Sequence, residues 1–305
     1  MNKKVFVVLV TYNPEMGKLI KCVNSLKEQV EKIIIVDNTP SNNKKFNFKE
    51  NDNIEIIYLY NNYGIAYAQN IGINKAINYG AEFILTSDQD TLYPDNYIEK
   101  MLEEYYRYSN SMRIAAIAPI FKDINSNSII KVCEKNKNKI KVINQQEIFL
   151  KEIFIVSHVI SSGMLIPVNV FNNIGLMNDR YFIDWVDTEW CFRALVKNYI
   201  IIQSPKIIIN HNLGDKSKKI LNYKITIHNN IRKYYRVRNA VYMLLHENNL
   251  KYYMKKYIFI SLVKMIISHF YFSEIRYKEI YNKYLAIKDA VINNMGKYNH
   301  SKTIL

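Results

Sequence analysis

Cysteine is scarce. Cys22, Cys133 and Cys191 are the three in this 305-residue chain, far apart and without a C-x-x-C, so neither a disulfide scaffold nor a zinc knuckle is indicated and a reducing compartment fits. Long apolar runs are missing near the start: after two lysines only the short run Val5 to Val10 precedes Thr-Tyr-Asn-Pro. That is too short for a signal-peptide core and lacks a small-residue cleavage site, so a cytoplasmic protein is expected. Tyr257 to Phe272 is strongly apolar but is interrupted by Lys264 and His269 and falls short of a membrane span. No G-x-G-x-x-G follows the first apolar run and no G-x-x-x-x-G-K is present, which argues against a dehydrogenase Rossmann domain and a P-loop enzyme.

What is present is enough for a sizeable core. At 49% hydrophobic, the chain can form one large domain or one domain with an appendage. Its charge is uneven: 24 Lys and Arg face 22 Asp and Glu up to Gly214, whereas 18 face 5 from Asp215 onward, a net +13 of the total +15. Such a C-terminal segment suits an anionic partner, either a membrane surface or a nucleic acid.

Val5 to Val10 reads as a strand buried on both faces. Pro14 opens a helix whose Leu19, Ile20, Val23, Leu26 and Val30 recur at helical spacing. Strands follow at Ile33 to Val36 and Ile54 to Tyr60, then a turn at Asn61 to Gly64 and a helix from about Ala66 to Tyr79 stopped by Gly80. Phe83 to Leu85 and Ile114 to Pro119 are further strands, and Lys122 to Asn144 reads as a hairpin or surface excursion. Polar residues collect at strand ends, at Thr11 to Asn13, Asp37 and Asn38, and Asp88 and Asp90. The expectation is an α/β sheet flanked by helices, with its site along the carboxyl edge.

The stretch FILTSDQDT, Phe83 to Thr91, ends in two aspartates separated by one residue. On a loop past a strand end, Asp88 and Asp90 can share one hard divalent cation; alternatively, the second is an Asx-turn or cap residue before a helix started by Pro94 and Asp95. A second acidic cluster lies in Tyr181 to Ala194, YFIDWVDTEWCFRA. On a helix, Asp184 and Asp187 are about 60° apart on one face and Glu189 points away, where it suits a surface ion pair with Arg193. A structural account makes Asp184 the N-cap and Asp187 a first-turn carboxylate.

Taken together, Thr11-Tyr12-Asn13, the VDN at Val36 to Asn38, the N-x-G-x-A-x-A-x-N at Asn62 to Asn70, the DQD at Asp88 to Asp90, the SSGM at Ser161 to Met164 and the DTEWCFR at Asp187 to Arg193 resemble inverting family 2 glycosyltransferases of GT-A fold. The resemblance spans about Lys4 to His211. HNLGD at His211 to Asp215 and RKYYRVRN at Arg232 to Asn239 are similar to the bacterial rhamnosyltransferase-type branch.

The resemblance implies a GT-A catalytic domain over 1–214 and a basic helical extension over 215–305. Thr11, Tyr12 and Asn13 would line the nucleotide, Asp37 would bond the base, and Asn62, Gly64 and Asn70 would shape the ribose and diphosphate pocket. Asp88 would lie near the ribose or metal, Asp90 would be the principal ligand of Mg²⁺ or Mn²⁺, and His211 a further metal or diphosphate ligand. Asp187 matches the general base, although Val186 stands where the family carries a glutamate. Arg236, with Arg232, Lys233 and Arg238, either lies over a diphosphate or belongs to a solvated helix face.

Inverting transfer needs a base for the acceptor hydroxyl and charge stabilisation on the departing diphosphate, with no covalent enzyme intermediate. The activity the resemblance implies is transfer of L-rhamnose from dTDP-L-rhamnose, or of a sugar from a UDP-sugar, to a lipid-linked or oligosaccharide precursor of a bacterial surface polysaccharide. Tyr257 to Phe272, with Lys251, Lys255 and Lys256 beside it, is either an interfacial helix on an anionic membrane or a helix packed on the catalytic domain. A nucleic-acid-binding protein is the competing class, but no aromatic-basic nucleic-acid module is recognisable, so no nucleic-acid partner is expected.

Overall fold

A computed structural model describes residues 4–40, 46, 48, 53–123, 128–211, 217–220, 223–226, 229–271 and 276–298, with backbone alone at 211, 217–220 and 223–226. The first strand, β1 (Val5–Thr11), is buried at every position. Val5, Val7 and Leu9 face one core with Leu19, Cys22, Val23 and Leu26 of α1 (Met16–Leu26). Phe6, Val8 and Val10 face another with Ala66, Ile73 and Ala76 of α2 (Ile65–Asn78). A strand sandwiched between helices has no solvent face to colour polar, which is why its sequence shows no alternation.

The chain continues through β2 (Lys32–Asp37) and β3 (Ile54–Tyr58), then, after α2, β4 (Phe83–Asp88), α3 (Tyr97–Ser109) and β5 (Ile114–Asp123). Next come β6 (Val132–Asn136), β7 (Lys139–Ile143), β8 (Phe154–Val156), β9 (Met164–Pro167), α4 (Val168–Ile174), α5 (Val186–Val196) and β10 (Ile200–His211). A short hairpin of β11 (Ser217–Ile220) and β12 (Tyr223–Thr226) leads to α6 (Asn230–His246), α7 (Tyr252–Tyr271) and α8 (Arg276–Val291).

Ten strands form one mixed sheet in the order β3-β2-β1-β4-β9-β5-β10-β8-β6-β7. β1 pairs in parallel with β2 and β4, and Thr11 stands opposite Asp37 while Val10 stands opposite Asp88. This register carries the polar strand ends to one edge. β9 is antiparallel to β4, with Met164 opposite Thr86, so the loop preceding β9 is delivered to the same edge. The stretch expected as a hairpin or excursion forms the β6–β7 hairpin, and it extends the main sheet instead of leaving it.

The helix carrying Gly72 lies close on the sheet. A Cβ there would stand 2.4 Å from Val8 Cγ1, so only glycine allows α2 this approach. Ile20, expected on the buried face of α1, is 41% exposed, and Val30 lies beyond the end of that helix.

The C-terminal helices share the core of the sheet. Tyr234 and Met243 of α6, Met254 and Ile258 of α7, and Leu285 of α8 belong to the cluster that contains Val156, Trp190 and Ile201. A solvated basic face on α6 is thereby corrected. Lys233 is buried and donates to Glu279 at 3.1 Å, and Arg238 is 1% exposed, donates to the Gly296 carbonyl at 2.8 Å and lies 4.8 Å over the Tyr235 ring. Among the described residues no helix is long and apolar enough to cross a membrane.

Candidate active site

The end of β1 is tied to the end of β2 through a carboxylate. Asp37 is buried, and its Oδ1 accepts from Thr11 Oγ1 at 2.8 Å and Thr39 Oγ1 at 2.7 Å. Thr39 Oγ1 in turn accepts from the Asn13 amide at 2.8 Å, where the backbone turns with φ 45°. The Tyr12 amide donates to Gln89 Oε1 at 2.8 Å, leaving the Tyr12 side chain 48% exposed above the sheet edge. Thr11, Tyr12, Asn13 and Asp37 are therefore brought together as one polar rim.

The turn into α2 completes that side. Asn38 donates to Asn62 Oδ1 at 3.1 Å and accepts from the Tyr63 amide at 2.9 Å, while Asn62 Oδ1 also accepts from the Gly64 amide at 3.0 Å. Gly64 has φ 92°, a conformation other residues adopt only with strain. Asn70 departs from the expectation of a pocket-lining residue. Its Nδ2 donates to the Met177 carbonyl at 2.8 Å and its Oδ1 accepts from the Met177 amide at 3.0 Å, so both polar ends clamp the loop after α4.

Asp88 and Asp90 sit half-buried at the end of β4. The Asp88 amide donates to Ser162 Oγ at 3.1 Å, and Ser162 and Thr91 hydroxyls meet at 2.8 Å, which fixes the turn against the loop before β9. The reading of Asp90 as a helix cap is corrected: α3 begins at Tyr97, past both Asp90 and the expected start at Pro94, and its N-cap is Asn96. The carboxylate oxygens suit a hard cation such as Mg²⁺ or Mn²⁺, which takes one or two protein carboxylates and completes its shell with water and substrate phosphate. Among the described residues no group of three or more His, Cys, Asp or Glu forms a fuller metal cage. His211 ends β10 opposite Asp123; its side chain, expected as a further ligand, lies outside the described residues.

Asp187 faces this edge from the first turn of α5. Its Oδ1 accepts from the Thr188 amide at 2.8 Å and its Oδ2 from the Ser161 amide at 3.3 Å. Burial pushes its carboxyl up to about 6, the Asp184 and Asp88 charges add to the rise, and the two amides oppose it. A carboxylate with that affinity for a proton, held by N–H donors beside two other acids, is suited to general-base work near neutral pH. Gln69, buried in α2, donates to Ser161 Oγ at 3.2 Å and so braces the same loop.

Two readings of the acidic segment change. Asp184 is neither on the helix nor its cap, because α5 starts at Val186 after Trp185 with φ 66°, and Asp184 itself has φ 61°. It pairs instead with Arg232 of α6, whose Nε lies 3.1 Å from Oδ2. Glu189 does pair with Arg193, at 2.8 Å, but Glu189 is buried and Arg193 only half-exposed, so the pair is not a surface one. Arg193 also donates to the carbonyls of Ile174 and Leu176, each at 2.8 Å, so this pair fastens α5 to the end of α4.

Of the basic residues on α6, then, Arg232 reaches the acidic loop, Lys233 and Arg238 are interior, and Arg236 is half-buried with its carbonyl accepting from Trp185 Nε1 at 3.0 Å. The residue sequence reasoning missed is Asn239. Its Nδ2 donates to the carbonyls of Tyr181 at 2.9 Å, Ile183 at 2.8 Å and Asp184 at 3.0 Å, holding the left-handed stretch that aims Asp187. Asparagine in an amphipathic helix gives no such signal; only the fold brings it to the loop. Asn38, Thr39 and Gln89 are likewise positioning residues that spacing alone does not reveal.

This geometry can be set beside known proteins. The family described as Glycosyl transferase family 2 matches residues 6–175. The chain is 38% identical over 253 residues to the dTDP-rhamnosyl transferase RfbF of Shigella flexneri, covering 82% of each chain. Among solved structures it is similar to S. aureus TarS 1–349 in complex with UDP-GlcNAc, with a TM-score of 0.56 and 16% identity over 94% of this chain and 80% of that one. GalNAc-T7 with UDP, GalNAc and Mn²⁺ gives a TM-score of 0.54 at 13% identity, covering 88% of this chain and 58% of that one. With more than half its length matched by the family and the sheet, helices and rim built as described, the chain belongs to glycosyl transferase family 2 and has the GT-A fold.

Proposed function

We propose that this glycosyltransferase moves L-rhamnose from dTDP-L-rhamnose, with inversion, onto a hydroxyl of a bacterial surface-polysaccharide precursor. The observation that carries the catalytic reading is Asp187, held by the Ser161 and Thr188 amides and raised to about 6 at the same sheet edge as Asp88. The similarity to a dTDP-rhamnosyl transferase over most of the chain supports the donor.

In this reading residues 1–214 bind donor and catalyse, and residues 215–305 associate with the acceptor or membrane. Thr11, Tyr12 and Asn13 contact the nucleotide, Asp37 fixes their loop and reaches the base, and Asn62 and Gly64 shape the diphosphate side. Asp88 and Asp90 hold Mg²⁺ or Mn²⁺, whose chemistry there is neutralisation of charge on the departing diphosphate. Asp187 removes the acceptor proton as the hydroxyl attacks the anomeric carbon opposite the leaving group, and no enzyme-bound sugar forms. The acceptor is a lipid-linked or oligosaccharide precursor, and the enzyme works in the cytoplasm, peripheral on the inner face of the membrane.

A panel of nucleotide sugars tests this, with release of nucleoside diphosphate followed in the presence of Mg²⁺ or Mn²⁺. Turnover of dTDP-L-rhamnose above UDP-sugars is the expected result. Preference for a UDP-sugar overturns the donor assignment, and turnover of none overturns the catalytic one.

A further inference from the structure

Helix α8 buries charged and polar residues beside Leu285, Ala286 and Ala290. Its buried side carries Glu279, Asn282, Lys283 and Asp289. Glu279 pairs with Lys233 at 3.1 Å and with Lys283, and Asp289 accepts from Tyr234 at 2.5 Å. Its outward side, by contrast, presents Ile280, Tyr284 and Ile287, exposed by 57%, 56% and 41%. These positions recur at helical spacing and form one stripe. The neighbouring α7 also exposes an apolar stripe, Phe259, Val263 and Ile267, exposed by 57%, 39% and 63%.

Single exposed apolar residues are ordinary on a protein surface; two apolar stripes on adjacent helices are not. We propose that these outward faces of α7 and α8 dock on an anionic lipid surface, a deepening that rests on the membrane-peripheral reading above. Charge selects this occupant. α7 contains no Asp or Glu, and both acids of α8, Glu279 and Asp289, are turned inward. The exposed charges on the two helices include Lys256, Lys264, Arg276 and Lys288, all positive.

A second copy fits poorly. A two-fold interface places a patch against itself, so these cations would meet their own images, and among the described residues of the two helices no outward acid stands opposite them. Anionic headgroups supply the missing complement, and the tyrosine and the lysine stems suit the boundary where apolar chains meet charge. Inward, the Glu279–Lys233 pair and the Tyr234–Asp289 bond join α8 to α6, and α6 carries Arg232 and Asn239 to the acidic loop. The docked helices are thus part of the body that holds Asp187.

Flotation with phosphatidylcholine vesicles, with and without phosphatidylglycerol, tests the proposal on the full chain. The wild type is expected to float only with phosphatidylglycerol. The pair Ile280→Ser and Ile287→Ser, and separately Lys256→Gln with Lys264→Gln, are each expected to weaken flotation by on the order of tenfold. A wild type that ignores phosphatidylglycerol, or a serine variant that floats like wild type, overturns it. So does a lipid-free dimer that the serine variant dissociates, which makes the face a self-interface. Donor hydrolysis on the same preparations keeps the two readings apart: a wild type that floats but hydrolyses no nucleotide sugar overturns the catalytic reading and leaves docking standing.

Discussion

Gly64 and Phe182 meet backbone to backbone: a Cβ on Gly64 would stand 2.6 Å from the Phe182 carbonyl oxygen, and that oxygen accepts from the Ile65 amide at 2.7 Å. The turn on the donor side and the loop that aims the base are thus one rigid unit. Gly64→Ala adds both a clash and a disfavoured φ, and is expected to destabilise the protein by roughly 2–4 kcal/mol. Thermal unfolding should show the loss, and calorimetry should show weakened nucleotide binding in the fraction that folds.

Asn239 acts on the same loop from the opposite side. Asn239→Leu keeps the volume but removes the donor shared by three carbonyls, with an expected loss of about 1–3 kcal/mol in stability. Because the carbonyls it holds run up to Asp184, just before Asp187, whereas the donor turn meets this loop at Phe182, kcat should fall more than nucleotide affinity. Equal loss of both would place Asn239 in general folding instead.

For the cation, Asp90→Ala should abolish transfer and metal-dependent binding of nucleoside diphosphate while leaving the circular-dichroism spectrum unchanged. Chelator should do the same to the wild type. Full activity with chelator present rules the site out.

His158 provides a separate pH test of the packing. Its Nδ1 lies 2.8 Å from Ser157 Oγ and its Nε2 3.0 Å from Tyr257 OH, and burial holds its imidazole down at about 4. The unfolded chain takes the proton below about 6.5 and the folded one does not, so stability is lost as pH falls from 6.5 toward 4. His158→Phe should flatten the denaturation midpoint over that window, against its own value at pH 7.5.

How much of this was legible in the sequence follows from the range of each interaction. Val5 to Val10 announced a strand buried on both faces, and Asp88 and Asp90 announced themselves at a strand end, because burial and spacing act locally. Asp184 misled, since a helical wheel assumes a helix and its φ of 61° lies outside one. Glu189 reads as a surface residue for the same local reason: nothing nearby in sequence shows that the fold buries it. Lys233 and Arg238 read in sequence as lying over a diphosphate or on a solvated face, and Asn239 gives no signal; their buried roles depend on helices and loops some fifty residues away and become visible only in the fold.

The most direct test is Asp187→Asn, read by turnover, donor affinity and stability together. Turnover should fall by a factor on the order of 10² to 10⁴ with donor affinity unchanged, and the wild-type kcat/KM should show an acid limb, falling as pH drops through about 6, where Asp187 takes up its proton. Since its folded pKa is raised from 3.8 to about 6, the carboxylate is a stability penalty absent below pH 3.8 and complete above pH 6. Asp187→Asn should therefore gain on the order of 1–3 kcal/mol at pH 7.5 and nothing at pH 3.5. Near-wild-type turnover, or loss of turnover in Asp184→Asn but not in Asp187→Asn, would contradict the assignment of Asp187 as the base.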